Sequence, residues 1–152
     1  MFMLVFLLIT LARTVLEMWL WHPPLLDAIV ESLLVVQVGL AGLYAFFSHY
    51  FILDKSFVYF ARPSNDPLQQ KMGIAHLALG VLGILCCWLH GSFWLATGIA
   101  AIILWLGTAL THIEELMSRR NVHLGNAGAL LLSDIGMPVL LLSLLGAYMI
   151  KG

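Results

Sequence analysis

Residues 91–111 form a run of 21 positions without a charged residue or a histidine, and residues 32–53 form another of 22 without a formal charge. A chain with two such runs has few folds open to it. An α-helix needs about 20 apolar residues to cross the roughly 30 Å hydrocarbon core of a bilayer. No water is available there to satisfy backbone N–H and C=O groups, so an apolar run of this length is expected as a helix. Composition agrees: 62% of the chain is hydrophobic, 10% is charged, and the mean hydropathy is +1.00. A soluble core with a polar skin does not have these proportions. The expected fold class is an all-α, integral membrane helical bundle. At 152 residues it is a single transmembrane domain.

Several functional classes drop out at this point. Net charge is -1 with His neutral, and the basic residues sit in small groups instead of a stripe, so nucleic acid is not an expected partner. The only cysteines are the neighbours Cys86 and Cys87. Adjacent cysteines are poorly placed for a disulfide and lack zinc-ligand spacing, so both read as apolar helix residues. The apolar N-terminus lacks the basic start and small-residue cleavage site of a signal peptide and is expected to stay in the mature protein.

Taken in order, the helices are expected at about 2–21, 32–53, 67–89, 92–116 and 127–150. The last four read as spans. The first spans only if it continues through Arg13, Thr14 and Glu17 to Trp21; Arg13 and Glu17 stand at i,i+4, and a charge pair at that depth should face protein. His22-Pro23-Pro24 then ends the helix. Asp66-Pro67 reads as N-cap and first helical residue, Asn126 as the N-cap of the last helix, and Pro138 as a kink beside Asp134. With five crossings, Lys55, Arg62, Lys71, Arg119 and Arg120 fall on one side against Lys151 on the other. That excess places the basic side in the cytoplasm, with the N-terminus inside and the C-terminus periplasmic.

On this topology His49, His76, His112, Glu115 and Asp134 all lie within roughly 10 Å of the basic side at about 1.5 Å per residue. They share spacing with small residues: Gly39, Gly42 and His49; Gly73, His76, Gly80, Gly83 and Cys87; Gly98, Ala101, Thr108, His112 and Glu115. Such seams let membrane helices approach closely and point polar groups inward. Each residue also has a plain structural account, as an interfacial histidine, a partner for Arg119 or Arg120, or helix punctuation.

Three chemical readings of this layer stay open. His112 and Glu115 stand three apart on one face, and with His49, His76 and Asp134 they suggest a metal site, or a haem held by two of the histidines. Asp134, His112 and Glu115 suggest proton handling, hence a proton-coupled transporter. Lys71, Arg119, Arg120 and Asn126, near two helix N-termini, suggest contact with anions or lipid headgroups. No serine or cysteine sits with a base as a nucleophile would, so the sequence leans away from an enzyme.

The motifs His112-x-x-Glu115, Gly125-Asn126-Ala127-Gly128 and Asp134-x-x-x-Pro138, together with residues 73–80, resemble a family of small prokaryotic multi-span membrane proteins of unknown function. The resemblance covers about residues 60–145, leaves the first 55 unmatched, and implies a bacterial inner membrane protein. It implies no activity, and the cofactor is unknown. The leading expectation is a scaffold or accessory subunit, surrounded by lipid, that packs through its glycine seams with itself or with another membrane subunit.

Overall fold

The computed structural model describes residues 2–51, 67–120 and 128–151, and every regular element among them is a helix. The expected caps Asp66 and Asn126 lie outside the described residues. Helix α1 (Phe2–Trp21) runs unbroken past Arg13 and Glu17. It stops where His22 takes a positive φ of 52° ahead of Pro23 and Pro24. Helix α2 (Leu25–Phe51) follows at once. Helices α3 (Pro67–Leu85), α4 (Ser92–Arg119) and α5 (Ala129–Lys151) complete the bundle.

Four helices, α1, α2, α4 and α5, are long and apolar enough to cross a membrane. These are four of the five segments expected from the sequence. The first segment qualifies, whereas α3 is not among the four: Gln69, Gln70 and Lys71 occupy its first turns, and it ends at Leu85. Helix α2 also starts at Leu25, not near residue 32. Pro24 accepts a 3.1 Å bond from the Ala28 amide, and Asp27 sits in the first turn, where a helix dipole favours an acid.

The middle of α2, Leu34–Leu40, is wound as a π-helix, and all of it but Leu40 is buried. A π stretch of this length is rare. It lies where the backbone of α3 comes closest. The α2 and α3 seams meet each other: Gly39 faces Gly83 and Ile84, Gly42 faces Gly80 and the His76 carbonyl, and Gly73 faces His49 and Phe46. On the other side of the bundle Gly98 of α4 receives Leu145 and Leu141 of α5. Between the two pairs lies a core built on Leu34, Val38, Trp94, Ala101, Leu141 and Leu145. The α3–α4 turn is held by a 2.9 Å bond from the Trp94 indole to the Cys86 carbonyl, and Gly91, at φ 63° and ψ -120°, supplies a backbone shape that suits glycine.

Lys151 forms a 2.9 Å ion pair with Asp27, which sets the end of α5 beside the start of α2. One end of the bundle therefore holds residues 21–25, the α3–α4 turn and Lys151. Trp19, Trp21 and Trp88 are exposed at that end, and Phe47, Tyr50 and Phe51 at the other. Such rings favour the boundary between hydrocarbon and water.

The close contact at Gly83 sets an expected outcome. A Cβ there overlaps the Gly39 backbone and the Leu34 carbonyl, neither of which can yield cheaply, whereas one at Gly107 meets nothing within 4 Å. Gly83→Ala should destabilise the protein by about 1–3 kcal/mol or more. Gly107→Ala should leave it unchanged or up to about 1 kcal/mol more stable. Thermal unfolding of both variants in detergent separates the two.

Candidate functional site

The residues singled out in the sequence fall into pairs. His49, near the end of α2, and His76, on α3, stack their rings in parallel, with centroids 5.5 Å apart and planes 6° from one another. Gly73, one turn before His76 on α3, has a bare backbone that lets the His49 Cβ approach. The Nδ1 of His49 shares a 2.8 Å hydrogen bond with the Oε1 of Gln69. Across the bundle, His112 Nε2 of α4 stands 3.6 Å from Asp134 Oδ2 of α5. Thr108, one turn before His112, donates to the Trp105 carbonyl at 2.8 Å. Glu115 is half-buried one turn beyond, and Pro138 is buried one turn after Asp134.

Among the described residues no three His, Cys, Asp or Glu side chains gather as a metal ion would require. Four of the five candidates thus fall into two pairs, His49 with His76 and His112 with Asp134. The stacked histidines present their nitrogens side by side, whereas the two axial ligands of a haem stand on opposite faces of the macrocycle. Of the proposed headgroup contacts, Lys71 and Arg120 are exposed. Asn126 and the side chain of Arg119 lie outside the described residues.

The most connected polar group lies at the opposite end. Arg13 of α1 places Nη2 2.6 Å from Glu17 Oε1 and 2.8 Å from Glu31 Oε1, so both carboxylates meet on one nitrogen. Its Nη1 donates to Ser32 Oγ at 3.1 Å, and Nη2 also reaches Cys87 Sγ at 3.7 Å. The Ser32 hydroxyl in turn donates to Glu17 Oε2 at 3.3 Å. Glu31 Oε2 stands 3.9 Å from His90 Nε2, whose side chain is 54% exposed. A polar ladder continues toward the middle of the bundle: Gln37, from the π stretch, donates to Thr10 at 3.0 Å, and Thr14 donates to the Thr10 carbonyl at 3.0 Å.

The spacing of Arg13 and Glu17 announces half of this group. Glu31 escapes notice because it lies before the expected start of α2 at residue 32, and Ser32 because it stands at that start. They stand on the helix that faces α1, one turn above the π stretch.

A family model matches residues 1–151, nearly the whole chain. The chain belongs to a family of unknown function, DUF6790. The match reaches well beyond the resemblance at 60–145, so Arg13, Glu17 and Glu31 lie inside the family domain together with His112 and Asp134. No curated protein and no solved structure matches the chain.

The two thiols of this family member differ in setting. Burial pushes the Cys86 thiol up to about 11, and Cys86 has no exposed surface. Burial also raises Cys87, with the Arg13 guanidinium pulling the other way, but Cys87 is only half-buried. A raised pKa leaves little thiolate at neutral pH and more as pH rises. A water-soluble maleimide should therefore label at most one thiol per chain at pH 7. The site should be Cys87, and the rate should rise about tenfold per pH unit toward its pKa. Mass spectrometry of the labelled peptides checks this, and rapid double labelling at pH 7 contradicts it.

Proposed function

We propose that the chain is a small scaffold or accessory subunit of a bacterial inner membrane, and that it assembles first with a second copy of itself. The supporting observation is how the glycines divide. Those at 39, 42, 73, 80, 83 and 98 fit against neighbouring helices of the same chain, so the seams marked in the sequence are filled from within. Gly107 of α4 and Gly136 of α5 instead open outward, where an added Cβ meets nothing within 4 Å. The two lie near one another in height on adjacent antiparallel helices, because His112, beyond Gly107, meets Asp134, just before Gly136. Bare backbone on the outer surface of each helix lets a further helix come close, and close backbone approach favours helix association in lipid.

In this reading the end carrying Lys71 and Arg120 faces the cytoplasm, with Lys55, Arg62 and Arg119 in the adjoining sequence, and the end carrying Trp19, Trp21 and Lys151 faces the periplasm. The apolar outer faces of α1 and α5 meet lipid. The stacked histidines and the His112–Asp134 pair then serve to lock α2 to α3 and α4 to α5.

The test is a paired substitution that the isolated protomer tolerates. Gly107→Leu with Gly136→Leu should leave the unfolding temperature of the monomer unchanged or slightly raised, since the new side chains enter open space. The same double variant should convert a dimer or larger species in nanodiscs to monomer, as read by native mass spectrometry. A wild-type protein that stays monomeric at every concentration, and co-purifies with no membrane partner, would overturn the proposal.

A further inference from the structure

The Arg13 group does more than tie helices together, because its charges do not cancel. Two carboxyls bear on a single guanidinium nitrogen, at 2.6 and 2.8 Å. Glu17 is buried at 8% exposure, and the rest of its shell is Ser32, one neutral hydroxyl. With both acids ionised, the group carries a net negative charge within about 12 Å of the Trp21 end, counting eight residues at the helical rise. An uncompensated charge at such depth is strongly disfavoured. Held on one guanidinium nitrogen, the Glu17 and Glu31 carboxyls are immediate neighbours. Two like charges held that close oppose each other's ionisation, which favours a proton on one of the pair.

We propose that Glu17 and Glu31 form a carboxyl dyad that binds one proton at neutral pH, and that the proton exchanges with water at the α1–α2 end through His90. The ligand is a proton and no electrons move. A proton taken from water by the exposed His90 imidazole passes to Glu31 Oε2, 3.9 Å away, when the ring closes that gap. It then passes between the neighbouring Glu31 and Glu17 carboxyls, while Arg13 holds whichever oxygen keeps the charge. The groups facing the dyad fit this route. From α1 comes Arg13, and from the α3–α4 turn come Cys87 and His90. One turn away on α2, Asp27 is held by Lys151 of α5. Trp94 of α4 meets the His90 ring edge-on at 5.0 Å, with Tyr148 of α5 behind it at 5.3 Å. Among these described groups Arg13 is the cation against both acids, and the solvent-side member is His90.

The experiment is infrared difference spectroscopy on the whole chain in lipid nanodiscs, with and without ¹³C-labelled glutamate. At pH 7 a carboxylic acid C=O band should be present, should shift on glutamate labelling, and should disappear in Glu17→Gln or Glu31→Gln. It should persist in Asp134→Asn and in Glu115→Gln. In His90→Gln the band should remain while its exchange in D₂O slows about tenfold or more. Absence of a glutamate-sensitive acid band in the wild-type protein overturns the dyad, and needs no variant to fold. A band that survives both Glu17→Gln and Glu31→Gln overturns it too. An unchanged exchange rate in His90→Gln overturns the route through that residue.

Discussion

A guanidinium cannot give up its proton, and Arg13 sits too deep in an apolar helix to leave its charge alone. Its answer organises one half of the molecule. Glu17 is supplied by the next turn of α1, but Glu31 and Ser32 belong to α2 and Cys87 to the turn after α3, so three segments are bound to one side chain. The bond to Glu31 fixes the height of α2 against α1. Gln37 then reaches Thr10 two turns further on, and the π stretch that carries Gln37 comes to rest between α1 and α3.

The second constraint is steric. Helices α2 and α3 approach so closely at Gly39 and Gly83 that no side chain fits between them, and the same seam carries His49 to His76 at its far end. Helices α4 and α5 repeat the arrangement with other residues, a leucine in a glycine notch at Gly98 and an imidazole on a carboxylate at His112 and Asp134. Each helix pair thus has an apolar seam through the hydrocarbon and a polar lock near an end. In lipid, packing and hydrogen bonds take over much of the role that burial from water has in a soluble core.

Helix class, the apolar runs and the inward face of Arg13 and Glu17 were legible because they depend on local spacing. The small-residue seams were legible as seams, but their partners were not: nothing local to α2 says whether Gly39 meets α3 or another molecule. The start of α2 was misjudged because Asp27 and Glu31 look like loop residues until Lys151 and Arg13, distant in sequence, neutralise them. The same cause hid the densest polar group. Depth along the helix axis put His49, His76, His112 and Asp134 in one layer, yet rise alone carries no information about which helices are neighbours. They sort into two separate pairs on that account.

The clamp is tested most directly by a double-mutant cycle on Arg13→Gln and Glu31→Gln, with unfolding free energies measured reversibly in the same bilayer mimic. Removing Arg13 leaves carboxylates without their cation, and removing Glu31 removes one of them, so the two losses should not add. A coupling of about 1–3 kcal/mol is expected for partners in one buried network. Additivity within about 0.3–0.5 kcal/mol, the behaviour of distant and independent sites, would contradict the clamp between α1 and α2.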